Sequence, residues 1–215
     1  IAGQVAINAL GTDAFQEVDL VGLAQPISKW SYQIRHAEDV AWAVSRAFYI
    51  ARTGRPGPVV LDFPRNAQVE EIDWEPKKVD FVRSYVPYPK LDHEAVRQAA
   101  ELINNAKKPL ALVGQGVELG NAQDELKAFL EKADIPAGRT MLGLSALPSN
   151  HPLNVGMLGM HGNYAVNLKE QECDVLIAIG MRFSDRVTGN LKTYAKQAKI
   201  IHLDIDRSEI DKNTT

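Results

Sequence analysis

The sequence has a single cysteine, Cys173. One thiol excludes an internal disulfide and fits a reducing compartment. Its place just ahead of an apolar run reads as a small buried filler. Charge of one sign is also missing. Lys+Arg number 24 against Asp+Glu 27, for a net charge of −3. That balance predicts neither nucleic-acid nor membrane binding. No apolar run approaches the ~20 residues that span a bilayer. There is no internal repeat and no low-complexity tract. An initial Met is absent, and Ile1-Ala2-Gly3-Gln4-Val5 reads as the end of a strand without its start. Residues 207–215 begin a helix and stop. Both ends are those expected of a piece of a longer protein. What is present is 215 residues with 45% apolar composition, enough for one large domain or two small ones.

The most informative stretch is residues 157–190, which reads as loop, helix, strand, loop. Gly156, Gly159 and Gly162 punctuate the first loop, and glycine lets a ligand approach the backbone closely. Asn163 is a plausible N-cap for a helix over residues 164–171. Residues 175–179 are continuously apolar, as in a strand buried on both faces of a parallel sheet. Gly180 ends that strand, and Arg182, Asp185 and Arg186 follow. In open α/β sheets ligands sit beyond the carboxyl ends of strands, and arginine holds phosphate through a planar fork of donors. The same residues also read as two ordinary surface loops.

The rest of the chain is punctuated in the same way. Residues 1–64 look like the carboxyl-terminal part of an α/β domain. A turn at Gly11-Thr12-Asp13 leads to an expected short helix over 14–18, then a strand over 32–35. A helix over 37–52 has Val40, Val44, Ala47 and Ala51 on its apolar face, and a strand follows at 59–61. Residues 65–90 break every period and read as an interdomain linker pinned by Trp74, Phe81, Tyr85 and Tyr88. A second domain occupies 91–215. Asp92 caps a helix over 93–105, with Val96, Ala99, Ala100 and Ile103 facing the core. A strand at 109–113 leads into Gly114-Gln115-Gly116, and a helix spans about 121–133. Strand, glycine loop and helix can present amides to a phosphate. Leu119 stands where a third glycine would complete the dinucleotide fingerprint, which disfavours an ordinary NAD-dependent dehydrogenase. A tight strand-to-helix turn accounts for the two glycines equally well. Residues 135–137 read as a short strand. The last strand, 199–206, places His202, Asp204 and Asp206 on one face. Asp204 or Asp206 could accept ribose hydroxyls, although Asp206 reads better as a helix cap and His202 as a core histidine. The fold class is therefore α/β, an open parallel sheet with helices on both faces, preceded by a partial α/β domain.

Four motifs carry a resemblance. They are Gly11-Thr12-Asp13-Ala14-Phe15-Gln16-Glu17, Thr53-Gly54-Arg55-Pro56-Gly57-Pro58, Met157-Leu158-Gly159-Met160-His161-Gly162, and Arg182-Phe183-Ser184-Asp185-Arg186-Val187-Thr188-Gly189-Asn190. Together they resemble the acetolactate synthase (acetohydroxyacid synthase) catalytic large-subunit family, which is thiamin-diphosphate dependent. The resemblance runs through nearly the whole chain. It implies the end of a pyrimidine-binding domain, a linker, and most of a central Rossmann-like domain that holds FAD.

The resemblance also implies site residues. FAD would be held by Arg55, by Gly114, Gln115 and Gly116, and by Thr140, Met141 and Leu142. Further contacts would come from Leu158, Gly159, Met160, His161 and Gly162, and from Gly180, Met181, Arg182, Phe183, Ser184, Asp185, Arg186 and Val187. Asp204, Ile205 and Asp206 would take the adenosine side. Phe15, Gln16 and Lys29 match residues near the substrate channel. Ala6, Ile7 and Asn8 stand where relatives carry a proline and two arginines, and Ser184 where an aspartate is usual. The thiamin-activating glutamate and the magnesium-binding motif of the family have no match here. His93-Glu94 reads as a solvated helix start. No catalytic residue and no metal ligand is assigned to this stretch. The parent would join two pyruvates, or pyruvate and 2-oxobutyrate, with CO2 release, using thiamin diphosphate and Mg2+ in the cytoplasm. It would form a homodimer or tetramer with a possible regulatory small subunit, and bind neither nucleic acid nor membrane. A glyoxylate carboligase-like relative and a stand-alone NAD-binding module are the competing readings.

Overall fold

A computed structural model describes residues 1–214 and resolves the chain into two compact units, Ile1–Tyr88 and a second from Pro89 onward. The first unit is built on a small parallel sheet. Strands β1 (Ala2–Gln4), β2 (Trp30–Gln33) and β3 (Val59–Pro64) lie in the order β1-β3-β2. Helix α1 (Leu20–Ala24) precedes β2, and α2 (Val40–Arg52) connects β2 to β3. The buried residues of α2 are Ala41, Ala43, Ala47 and Ile50. The buried stripe is thus centred on alanines, with the expected Val40 and Val44 packed at its margin. Gly54 stops α2 at φ +60°.

The expected helix over 14–18 does not form. Asp13 and Gln16 both take left-handed backbone angles, and the Glu17 carboxylate accepts from Gly11 N (2.5 Å) and Ala14 N (3.1 Å). That carboxylate folds the segment into a closed loop. The helix begins later, at Leu20, where the Asp19 side chain accepts from Gly22 N (2.9 Å).

Residues 65–88 group with the first unit. They open with a helix that the sequence pattern did not reveal, α3 (Arg65–Val69). Beyond it, Val82 is buried, Val79 N donates to Ser45 Oγ (2.9 Å), and Tyr85 rings against Tyr49.

The second unit contains five parallel strands. Helix α4 (His93–Asn105) is capped as expected by Asp92, which accepts from Glu94 N and Ala95 N. Strand β4 (Pro109–Val113) runs into α5 (Gln115–Leu119), and α6 (Gln123–Ala133) follows. Strands β5 (Ala137–Arg139) and β6 (Asn154–Met157) come next, then α7 (Tyr164–Glu172). The chain continues through β7 (Val175–Ile179), α8 (Asp185–Thr188) and β8 (Lys199–Leu203). The order is β6-β5-β4-β7-β8, with every pairing parallel.

Alternation along β4 and β7 sends side chains to two cores. Leu110, Leu112, Leu176 and Ala178 pack with Val166 of α7 and with Tyr194. Ala111, Val113, Val175 and Ile177 pack with Val117, Leu126 and Leu130 of α5 and α6. The sheet is therefore covered by helices on both faces, the α/β class expected. Burying Leu110, Leu112, Leu130 and Leu176 stabilises the unit by roughly 2 kcal/mol each.

Several features differ from the sequence pattern. The third strand begins at Ala137, not 135. β6 lies in what read as loop. β8 ends at Leu203, before the aspartates. In α4 the expected inward face is not fully buried: Val96 is 50% exposed and Ala100 is exposed, Ala99 is half-buried, and Ile103 and the following Ala106 pack against the core.

A candidate cofactor site on the carboxyl rim of the second sheet

The chain leaves β4 toward β5 and β6 on one side, and later toward β7 and β8 on the other. The strand order therefore reverses between β4 and β7, and such a switch point is where doubly wound sheets hold ligands. Every site residue expected in the second unit lies at a carboxyl strand end around this point. Gly114, Gln115 and Gly116 follow β4, and Thr140, Met141 and Leu142 follow β5. Leu158, Gly159, Met160, His161 and Gly162 follow β6. Gly180, Met181, Arg182, Phe183, Ser184, Asp185, Arg186 and Val187 follow β7 into α8, and Asp204, Ile205 and Asp206 follow β8.

At the switch point itself the glycines meet each other. Gly114 N donates to Ile179 O (2.9 Å) and Gly116 N to Gly180 O (2.8 Å). A Cβ on Gly116 would sit 2.5 Å from Gly180 Cα, and Gly180 has φ +58°. These glycines let two loops cross backbone to backbone. The amides of Gly114 and Gly116 are thus already donated within the fold, as in a tight strand-to-helix turn. The loop after β5 is held from below. Thr140 N donates to Val113 O (2.9 Å), and the buried Arg139 donates through Nη1 to Leu144 O (2.5 Å) and Leu147 O (2.7 Å). With those anchors, Met141 and Leu142 stand 61% and 65% exposed on the rim.

The loop after β6 is tied on three sides. Asn163 begins α7, but its side chain does not cap the helix; Oδ1 accepts from Met157 N (3.1 Å). Gly159, at φ +94°, exchanges two hydrogen bonds with the Asn167 side chain. Met160 N donates to Arg186 O (2.9 Å), and Gly162 N to Gly159 O (2.8 Å). Met160 and His161 project outward from this frame.

After β7 the side chains alternate. Met181 and Phe183 are buried, while Arg182 is exposed between them. Phe183 sits edge-on to His202 at 5.1 Å, and His202 Nε2 bonds Met181 O at 2.8 Å. His202 is thus a satisfied histidine within the fold. Arg186 pairs with Asp185 at 3.3 Å in the open, an arrangement that adds little stability and leaves both near solvent. After β8, Asp204 Oδ1 accepts from Asp206 N (2.8 Å), and Asp206 Oδ1 accepts from Ser208 N (3.0 Å) as a cap. An open cleft of about 410 Å3 beside this rim is lined by Arg182, Phe183, Ser184, Asp185, Lys212 and Asn213, among others.

Residues expected to act from the first unit are placed there. Phe15 is 90% exposed, and Gln16 holds φ +68° in the closed loop. Arg55 is exposed on the turn after α2, where Gly57 N donates to Ala51 O (3.1 Å). Lys29 is fully engaged. Its Nζ donates to Ile50 O (2.6 Å), Thr53 O (2.7 Å) and Tyr85 Oη (2.9 Å), which uses all three ammonium hydrogens at the end of α2. Ile7 and Asn8 form part of a 3-10 turn after Ala6. Glu94 accepts from Arg97 and Gln98 in solvent, as a surface helix start should. Among the described residues, no three His, Cys, Asp or Glu side chains converge to hold a metal ion, and no helix is long and apolar enough to cross a membrane.

The rim combines exposed arginine with exposed apolar side chains: Met141, Leu142, Met160, Leu203 and Ile205. That chemistry fits a large amphipathic anion such as a flavin dinucleotide, with aromatic area to cover and a pyrophosphate to neutralise. Asn167 is the residue that sequence reading missed. A half-buried asparagine inside a helix carries no periodic signal; only the loop folding back onto it shows its use.

The comparisons agree with this architecture. The family described as thiamine pyrophosphate enzyme, central domain, matches residues 96–215. The chain is 46% identical, over 99% of its length, to the probable acetolactate synthase large subunit of Methanocaldococcus jannaschii, of which it covers 36%. It is 45% identical to the acetolactate synthase large subunit of Corynebacterium glutamicum, over 99% of this chain and 34% of that protein. Against the acetolactate synthase isozyme 1 large subunit of Escherichia coli it is 44% identical, over 99% of this chain and 37% of that one. The chain thus spans little more than a third of the length of these relatives. With a switch-point sheet of this order and a family match across that sheet, the chain belongs to the thiamine pyrophosphate enzymes, whose central domain it carries.

Proposed function

We propose that this chain is the flavin-holding part of an acetolactate synthase large subunit. One observation carries the reading: identity of 44–46% extends through both units to proteins of that name. The enzyme would condense two pyruvates, or pyruvate and 2-oxobutyrate, with release of CO2. Thiamin diphosphate and Mg2+ would be bound by parts of the protein outside these 215 residues. In the family this chain resembles, bound FAD supplies no net redox change. The residues here then act by holding. Arg182 neutralises the pyrophosphate, while Met141, Leu142, Met160 and Ile205 cover apolar ring surface, and Asp204 takes a ribose hydroxyl. Loop amides at Gly114, Gly116, Gly159, Met160 and Gly162 are already donated within the fold, so binding rests on side chains more than on an amide cradle. The enzyme would work in the cytoplasm as a homodimer or tetramer, with a regulatory small subunit as a further partner.

Acetolactate formation tests the proposal. Full-length protein supplied with thiamin diphosphate, Mg2+ and FAD should convert pyruvate to acetolactate, and the 215-residue chain alone should not. Turnover of glyoxylate but not pyruvate by the full-length protein would move the reading to a carboligase on the same scaffold.

A further inference from the structure

We propose that Asn167 is the positioning residue of the cofactor rim, acting through the backbone of Gly159. The inference rests on the flavin reading above.

Asn167 lies on α7, one helical turn beyond Asn163, so both face the β6–α7 loop. The two asparagines grip successive parts of that loop. Asn163 bonds Met157 twice, through its backbone N to Met157 O (2.7 Å) and through Oδ1 from Met157 N (3.1 Å). Asn167 accepts from Gly159 N through Oδ1 (3.0 Å) and donates from Nδ2 to Gly159 O (2.9 Å). A side-chain amide is a peptide unit on a short stem, with one acceptor and one donor edge. It pairs with Gly159 as a neighbouring strand would. Leu158, between the two grips, is buried, so the loop cannot rotate about them without exposing it.

The clamp reaches further than its own loop. Gly159 abuts the start of α8: a Cβ there would meet Arg186 O at 2.8 Å, and Met160 N donates to the same oxygen. Asn167 therefore anchors the residue at which the loop presenting Met160 and His161 meets the segment that follows β7.

The test compares full-length wild type with Asn167→Leu and Asn167→Asp. FAD affinity is read by flavin fluorescence, and the unfolding midpoint is read on the apoproteins. Loss of both hydrogen bonds in Asn167→Leu should weaken FAD binding by roughly tenfold or more. Asn167→Asp keeps the acceptor for Gly159 N–H and loses the donor, so its affinity should fall in between. At saturating FAD, kcat should return to within about twofold of wild type, as expected when the loop is misplaced but intact. A purely structural role would lower the apoprotein midpoint and leave FAD affinity unchanged in both variants, and that result overturns the proposal. If Asn167→Leu does not fold, Asn167→Asp decides alone by the same criterion. Failure of the wild type to bind FAD removes the flavin reading itself, which is a different outcome from equal affinity in wild type and variants.

Discussion

Glu170 shows how one residue can set the chain's response to pH. It is 2% exposed on the last turn of α7, with Tyr194 Oη donating to Oε1 at 3.2 Å. Burial pushes its carboxyl from the ordinary 4.5 up to about 7, and the Tyr194 bond only partly offsets this. The folded chain therefore prefers Glu170 protonated. The unfolded chain releases that proton above about pH 4.5, so stability falls as pH rises from there to about 7 and levels off beyond. A shift of that size corresponds to roughly 3 kcal/mol at most. Glu170→Gln keeps the acceptor for Tyr194 and removes the charge. Its thermal midpoint should exceed wild type at pH 8 and approach it near pH 5, measured on the 215-residue chain. A variant less stable than wild type at pH 8 would contradict this. Cys173 shares the pocket; burial, with the nearby Glu170 adding to it, pushes its thiol up to about 12, as suits the inert filler read from sequence. The Glu170 environment was not legible beforehand. A glutamate in LKEQE looks like solvated helix surface until Tyr194 folds over it.

At the scale of elements, apolar runs made β3, β4 and β7 readable, and Asp92 and Gly54 marked their helix ends. The misses have local causes. β6 is short and carries Gly156 at φ +109°, so no strand period survives in NVGM. α5 starts inside the glycine turn, where the sequence looks like loop. β8 stops at Leu203, because Asp204 turns its carboxylate onto Asp206 N. The crossing of the loops after β4 and β7 yields a prediction. Gly116→Ala places a methyl 2.5 Å from Gly180 Cα, and both neighbours are backbone with no room to rotate away. Overpacking of this kind costs about 1–3 kcal/mol. Denaturant titration of Gly116→Ala should show that loss. Equal stability of Gly116→Ala and wild type would mean that the two loops do not cross as described.

For the whole molecule, the change of composition after residue 64 reads as a linker over 65–90, whereas residues 65–88 group with the first unit. Residues 65–88 are held to the first unit by Val82, Tyr85 and the α3 helix, contacts that lie far apart in sequence. Limited trypsin treatment should therefore cut at the exposed Lys77, Lys78 and Lys90, leaving a resistant piece that begins near Leu91. Protection of Lys90 with cleavage inside the second unit instead would contradict this division. The family resemblance pointed to the rim residues, and the sheet order explains why they converge. The use of their amides could not be read from glycine spacing, because spacing does not say which backbone a glycine approaches.

We propose above that the carboxyl rim of the second sheet holds FAD through arginine and apolar side chains. Titration of FAD and of NAD into full-length apoprotein, wild type against Arg182→Ala, tests it most directly. A charge-assisted hydrogen bond contributes about 1.5–3 kcal/mol, so losing Arg182 should weaken FAD binding by about ten- to a hundredfold, with NAD binding weakly to both. Tight NAD binding with none for FAD, or equal FAD affinity in the two proteins, would contradict the account.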